Sequence, residues 1–282
     1  MNELSSSQDS VSEDTGIKYL EELSLNAWPS YEIELYDGWL LRYSHNYTYR
    51  TNSVEQIGPS TISTDDKISY CESVYRSWGT PCSFKINPLL DPSFDAALND
   101  KGYQIRHVTE TMTADLKHVN LWKPESCEYE FENRLGLPSS VQYSDNVQVL
   151  VTPVITDEWI QGLFHLNGTS EPELRRIVPS MYKAIPKETI ACAIELDGRM
   201  VASGLGIRDR DYIGIYAIYV SASCRRRHYA RAICSTLMRE GAALGATHAY
   251  LQVVKGNTTA KSLYYSLGFK DYYTYWFRSK DV

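Results

Sequence analysis

The sequence predicts an α/β protein with a mixed sheet, arranged in two parts. Three observations predict it. Residues 147–282 run through strand-like and helix-like patterns in the order β-α-α-β-β-β-α-β-α-β. Within them a strand-like run, Tyr212–Val220, leads through a basic turn into a helical pattern. Its apolar residues Ala230, Ile233, Cys234, Leu237, Gly241 and Leu244 fall at i, i+3, i+4, i+7, i+11 and i+14, one stripe of a helix. Two Asp-Gly pairs, Asp37-Gly38 and Asp197-Gly198, each join two strand-like runs, as tight hairpins require.

The elements follow in order. Met1–Thr15 is rich in Ser and acids and lacks the apolar run of a signal peptide, so residues 1–16 read as a disordered tail. Ile17–Leu25 reads as a short helix stopped by Trp28-Pro29. Tyr31–Tyr36 alternates with period two, and Trp39–Tyr43 returns after the turn. His45–Ser53 is polar and Tyr-rich, a mixture of strand and loop. A helix capped by Asp65 or Asp66 runs to Trp78, with Ile68, Cys71, Val74, Tyr75 and Trp78 on one face. Ser83–Ile86 is a short strand, Phe94–Asp100 a helix ended by Gly102, and Tyr103–Leu116 a long strand region. Together they form a front domain, 17–118.

Residues 119–146 contain Pro124, Pro138, Ser139, Ser140 and several acids, and read as a linker. The second domain, 147–282, opens with a strand at Val147–Thr152. Helices follow at Asp157–Leu166 and Glu171–Tyr182, then a hairpin of Thr189–Leu196 and Met200–Arg208. Tyr212–Val220, the helix to Leu244, a strand at Ala249–Val254, a helix from Asn257 and a strand region Phe269–Phe277 complete it.

A strand, a basic turn and a helix together make a place for a phosphate. The first turn of a helix has backbone N–H groups without partners, and the helix dipole adds partial positive charge. Arg225, Arg226 and Arg227 stand in a row before that turn. Each well-placed arginine adds charge-assisted hydrogen bonds worth roughly 1.5–3 kcal/mol. A solvated basic turn is the alternative reading of the same residues.

Val220-Ser-Ala-Ser-Cys-Arg-Arg-Arg-His-Tyr-Ala230 resembles the acetyl-CoA-binding motif V-x-P-x-x-R-x-x-G-x-G/A of the GNAT superfamily of N-acetyltransferases. Val220, Arg225, His228 and Ala230 fall on its V, R, first G and G/A positions; Ala222 replaces the Pro and His228 the first Gly. Asn257-Thr-Thr-Ala260-Lys-Ser-Leu-Tyr264-Tyr-Ser-Leu-Gly268-Phe269 resembles the second signature, N-x-x-A-x-x-L-Y-x-x-L-G-F, throughout. The front half contributes Gly38-Trp-Leu-Leu-Arg42 and Thr48-x-Arg50-x-Asn52-Ser-Val54, similar to a subgroup of two-part acetyltransferases. It has no arginine turn, so the expected architecture is a GNAT fold in tandem with a degenerate GNAT-like N-terminal half. Arg50 and Asn52 either line a substrate cleft between the halves or pair with surface groups.

The resemblance implies a function and a site. The function is transfer of an acetyl group from acetyl-CoA to a primary amine of a small molecule, directly and without a metal. Two central parallel strands part to admit the pantetheine arm. The backbone of Ile218, Tyr219 and Val220 pairs with that arm, which Asn257 also holds. Arg225, Arg226, Arg227, His228, Tyr229, Ala230 and Arg231 meet the diphosphate. Tyr264 falls on the general-acid position, where a phenol can protonate the departing sulfur. An amine of pKa about 10.4 must lose its proton before it attacks, which costs on the order of 4–5 kcal/mol at neutral pH. Glu195, Asp209 and Asp211 are candidate bases, and none is selected; as turn residues each has a structural reading too. A non-catalytic acyl-CoA-binding sensor and a protein N-acetyltransferase are the rival readings.

Composition excludes other classes. Lys and Arg number 28 against 35 Asp and Glu, a net charge of −7, which argues against a general nucleic-acid binder. No apolar run approaches the ~20 residues of a membrane span. Six scattered cysteines without a C-x-x-C pair fit a reducing cytoplasm better than a disulfide scaffold. Composition leaves a homodimer open.

Overall fold

The computed structural model describes residues 3–117, 139–144 and 147–282. In chain order the elements are α1 (Glu3–Ala27), β1 (Glu32–Tyr36), β2 (Trp39–Tyr43), β3 (Val54–Gln56), α2 (Thr64–Ser77), β4 (Cys82–Ile86), α3 (Pro92–Asp100), β5 (Gln104–Asp115) and β6 (Ser139–Ser144). Then come β7 (Val147–Thr152), α4 (Asp157–Asn167), α5 (Pro172–Lys183), β8 (Glu188–Leu196), β9 (Arg199–Asp209) and β10 (Tyr212–Val220). The chain ends with α6 (Tyr229–Ala243), β11 (His248–Val254), α7 (Thr258–Ser266) and β12 (Lys270–Lys280).

Two compact units result, and they do not follow the two halves of the sequence. Unit 1 is Met1–Glu110, Arg176–Ala184 and Tyr273–Val282; unit 2 is Thr111–Arg175 and Ile185–Tyr272. The expected division at 118 and 147 therefore needs correction. The cause is strand pairing. β12 pairs antiparallel with β4, from Trp276↔Ile86 to Lys280↔Cys82. Arg278 secures it with a two-pronged bond to the Asp95 carboxylate, at 2.8 and 2.7 Å.

Other expectations also shift. Residues 3–16, expected as a disordered tail, continue α1 upstream. The buried turns around Ile17, Leu20 and Leu23 nucleate this helix, and adding residues to a nucleated helix is easy. Ser63, two or three residues before Asp65 and Asp66, caps α2 by accepting from the Asp66 amide. Within the expected linker, 139–144 form β6, paired with β7 from Ser139↔Val151 to Ser144↔Val147; residues 119–138 and 145–146 lie outside the described residues. Tyr103–Leu116 contains a single strand, β5.

In unit 2 the strand order is β6-β7-β8-β9-β10-β11-β5. β8–β9 and β9–β10 are antiparallel, while β10 and β11 are parallel, with α6 as their crossover. The apolar stripe of α6 sits in the core: Ile233, Cys234, Leu237 and Met238 have no exposed surface. Each such side chain contributes roughly 1.5–3 kcal/mol by leaving water. Gly241 lets the helix approach the sheet. A Cβ there would lie 2.7 Å from Ile213 on β10.

Unit 1 has the strand order β1-β2-β3-β4-β12. β1–β2 is the hairpin at Asp37-Gly38, with both residues at positive φ. β3 and β4 are parallel, paired at Val54↔Phe84, with α2 between them in sequence. Trp39, Leu41, Ile68, Cys71, Tyr75, Phe84, Phe94 and Tyr103 make its core. Among the described residues no helix is long and apolar enough to cross a membrane.

Candidate active site

The basic turn leaves β10 through Ser221, whose amide donates to the Val201 carbonyl at 2.8 Å. Cys224 is buried and anchors the turn, while Arg225, Arg226, Arg227 and His228 are exposed. Arg226 and His228 both have left-handed backbone, with φ of 64° and 61°. That conformation costs a residue with a Cβ about 1–2 kcal/mol. Left- and right-handed residues in succession turn several N–H groups toward one concave spot, an arrangement that binds anions. The motif position that is usually Gly thus adopts a glycine-like backbone here with His228.

α6 begins immediately after. Its first described bond runs from the Ala232 amide to the His228 carbonyl at 3.0 Å, and no side chain caps it. By contrast Ser63, Asp91, Thr156 and Asn257 cap α2, α3, α4 and α7 with their own oxygens. The amides at the start of α6 are therefore available to an external acceptor. Tyr229 and Ala230 lie in this first turn; the Tyr229 side chain is packed in the core and the Ala230 side chain is half-buried. Arg231 sends its guanidinium to the Ser266 hydroxyl of α7, so that charge braces two helices.

Next to this turn the sheet forks. β10 and β11 pair from Tyr212↔His248 to Ile215↔Leu251 and no further, although both strands continue. Beyond the last rung, β10 keeps its other partner: Tyr219 pairs with Ser203 and Val220 with Ala202 on β9. A bulge between Tyr216 and Tyr219 bends the strand, with Ala217 at φ 50° and its carbonyl held by the Ser203 hydroxyl at 2.9 Å. Ile218, Tyr219 and Val220 lie on this stretch, on the side of β10 where β11 has left. An extended ligand can pair with such an edge as an added strand.

Tyr264 and Tyr265 separate cleanly. Tyr264 is 9% exposed and shares the core with Cys234 of α6, its ring 6.0 Å from that of Phe269 in an edge contact. Burial, with a smaller contribution from the Cys234 thiol, pushes its phenol well above the ordinary tyrosine range, so it carries its proton at neutral pH. Tyr265 is exposed and donates to the Asp271 carboxylate at 2.6 Å. Asn257 caps α7, accepting from the Ala260 amide at 3.2 Å.

One pair escaped the sequence reading. Tyr216 and Tyr250 stand at the point where the strands part, with phenol oxygens 2.5 Å apart and rings edge to face. Both are buried, at 4% and 2% exposure. Gly214 makes the space: a Cβ there would lie 2.6 Å from the Tyr216 ring and 2.8 Å from that of Tyr250. Ile213, the next residue on β10, meets Gly241 of α6, so the phenol pair faces away from that helix. Tyr264, packed with Cys234, is on the α6 side. The signal was Tyr212-x-Gly214-x-Tyr216, three residues on one strand face with a gap in the middle for a neighbour's ring.

The candidate bases are placed elsewhere. Asp209 is buried against Lys187 at 2.9 Å. Asp211 is half-buried, 3.6 Å from His248 Nδ1, and its carbonyl accepts from the Thr247 and His248 amides at the closed end of β10 and β11. Glu195 is exposed and pairs with Met200, beyond the Val220 end of the sheet. In unit 1, Asn52 is spent on its own loop, accepting from the Ser44 and Asn46 amides and donating to the Thr48 carbonyl. The Arg50 carbonyl accepts from Arg42 at 2.5 Å.

Residues 157–269, which hold the fork, the basic turn and Tyr264, match the model of the acetyltransferase (GNAT) family. That stretch is a GNAT acetyltransferase domain. Residues 14–127 match a second model, described as the C-terminal part of the probable histone acetyltransferase Rv0428c. The uncharacterized N-acetyltransferase YobR of Bacillus subtilis is 26% identical over 265 residues, 94% of this chain and 98% of that protein. A GCN5-related N-acetyltransferase from Kribbella flavida superposes with a TM-score of 0.65 at 14% identity, covering 94% and 95% of the two chains. A tandem GNAT protein from the clavulanic acid biosynthesis pathway does so at 0.56 and 13%, covering 80% and 75%. These structural likenesses concern the fold.

Proposed function

We propose that this acetyltransferase moves the acetyl group of acetyl-CoA onto a primary amine of a small molecule, by direct attack. The observation that carries the reading is the fork between β10 and β11. At its outer end stand an uncapped helix and three exposed arginines; at its floor stand the paired phenols of Tyr216 and Tyr250.

Acetyl-CoA supplies an acyl group activated as a thioester. The residues that would hold it fit its parts. The amides of Arg226 to Arg231 and the guanidinium groups of Arg225, Arg226 and Arg227 suit a diphosphate. His228 stands at that same phosphate end. The free edge of Ile218, Tyr219 and Val220 suits an arm with two amides, and Asn257 lies at the start of the neighbouring helix α7.

Two proton movements then follow. A neutral amine forms the new C–N bond as the C–S bond breaks, and the proton it sheds passes to solvent water, from which Tyr264 regains the one it gives to sulfur. The Tyr216–Tyr250 pair lies on the face away from α6 and orients the amine there by hydrogen bonding. Tyr264 Oη, on the other face, holds the proton that the departing sulfur needs. Its raised pKa keeps that proton in place until negative charge develops on the sulfur. The buried thiols Cys71, Cys82, Cys192, Cys224 and Cys234, free of disulfides, support a reducing, cytoplasmic setting.

The test is a panel of small primary amines with acetyl-CoA, read as release of free thiol and as mass of the acetylated amine. Turnover of at least one amine, lost in Tyr264→Phe, is the expected result. Thiol release that no amine accelerates counts against the acceptor class, and coenzyme binding without turnover favours the sensor reading.

A further inference from the structure

Unit 1 repeats the order of unit 2 around its own parallel strand pair. β2, β3, a turn, α2 and β4 correspond to β9, β10, a turn, α6 and β11. The turn at 57–63 is thus the counterpart of the arginine turn at 221–228. It too directs backbone amides at an anion, and that anion belongs to the protein. The Asp37 carboxylate accepts from the Thr61 amide at 3.0 and 2.9 Å, from the Thr61 hydroxyl at 2.9 Å and from the Ile62 amide at 2.9 Å.

A second observation points to the same spot. The Lys67 side chain, 1% exposed, brings its ammonium within 3.4 Å of Asp37 Oδ2. That ammonium also donates to the Asp37 carbonyl and the Ser60 hydroxyl, and it lies 4.1 Å from the Trp39 ring centroid. A buried cation, two amides and a hydroxyl converge on one carboxylate, which is the donor set a phosphate oxygen would meet. The turn is pinned from behind, because the Ile57 and Gly58 amides donate to the Gly38 carbonyl at 3.0 and 3.1 Å. In unit 2 the residue at the matching hairpin, Asp197, is exposed.

The neighbouring gap is filled in the same way. β3 and β4 pair at Val54↔Phe84, and just past that rung Lys85 is held by Glu21 at 2.7 Å and Glu55 at 3.7 Å, with Arg42 on Glu55 at 3.0 Å. Two carboxylates and two cations occupy the place where unit 2 keeps its fork.

We propose that unit 1 retains an oxyanion site of the phosphate class in front of α2, occupied by the carboxylate of Asp37, so that each chain takes up one coenzyme molecule. The stoichiometry rests on the function proposed above; the anion site does not.

The experiment uses the full chain with Asp37→Ala in an Arg225→Ala/Arg227→Ala background, where sulfate has lost the arginine turn of unit 2. Thermal unfolding is followed in sodium sulfate and in sodium chloride of equal ionic strength. The Asp37→Ala protein is expected to unfold at a lower temperature, and millimolar sulfate to raise its midpoint by about 2–4 °C more than that of the Asp37 parent. Equal responses to the two salts, or equal responses of the two proteins, overturn the proposal. Asp37→Gly, which empties the same place and suits the positive φ of 43° there, serves if the alanine variant does not fold. Calorimetry on the wild type with coenzyme A is expected to give one site per chain, and two sites overturn the proposal. A chain that binds no coenzyme defeats the reading of unit 2, and the sulfate comparison still decides the Asp37 site.

Discussion

The phenol oxygens of Tyr216 and Tyr250 meet at 2.5 Å on the last stretch of sheet before β10 and β11 separate. Each buried hydroxyl bonds to the other, and a bound amine denied the hydroxyl that it would bond to loses about 1–3 kcal/mol. Tyr216→Phe and Tyr250→Phe are therefore expected to lower kcat/KM for the amine by about 5–100-fold. Coenzyme affinity should hold steady. Steady-state kinetics with the amine varied at saturating acetyl-CoA checks this, and an unchanged amine dependence in both variants would remove the pair from acceptor positioning.

The proposed general acid, Tyr264, is packed with Cys234 on the α6 side of the sheet. A general acid contributes about 10²–10⁴-fold to rate. Tyr264→Phe keeps the ring that packs on Phe269 and loses only the proton donor, so kcat should fall by about that factor with coenzyme affinity preserved. Tyr265→Phe serves as the control, because Tyr265 points outward to Asp271. Equal kcat in Tyr264→Phe and wild type would sink the assignment.

The turn before α6 predicts a different signature. Arg225→Ala and Arg227→Ala each remove a cation from an exposed site, so the loss is expected in coenzyme affinity: about 10-fold each, and smaller as salt rises. Calorimetry at two ionic strengths reads both effects. Unchanged affinity in both variants would mean that the diphosphate lies elsewhere.

Much of this was legible because local rules and tertiary needs agreed. Tyr212–Val220, Asp37-Gly38 and the stripe from Ala230 through Gly241 each carry a period or a turn residue that only one backbone satisfies, and the observed elements match them. The register of Asn257 to Phe269 separated Tyr264 from Tyr265, and the structure puts the first in the core and the second outside. What stayed hidden depends on contacts far apart in sequence. Nothing near Tyr250 announces Tyr216, 34 residues away. Asp37 reads as a turn former; its reach to Thr61 needs β1, β2 and the next turn all in place. The two domains were drawn as consecutive stretches because composition cannot show that the last strand joins β4.

That last strand yields a pH prediction. Arg278 is 7% exposed and bonds to both oxygens of Asp95, and Asn99 and the Tyr103 carbonyl take its remaining fork at 3.1 Å each. The Arg278 hydrogen bonds hold the Asp95 carboxyl below its ordinary range. A carboxyl depressed in the folded state adds stability that is fully present above its unfolded pKa of about 3.9 and is lost as pH falls through the lower folded value. Asp95→Asn keeps the shape, removes the charge, and leaves a buried guanidinium without its counter-ion, a loss of about 3–5 kcal/mol. The variant should therefore be less stable at neutral pH, and its stability should fall less steeply than that of the wild type below about pH 4. Urea unfolding at pH 7 and pH 3, followed by tryptophan fluorescence, measures both slopes. Parallel slopes would show that Asp95 does not hold β12 through charge.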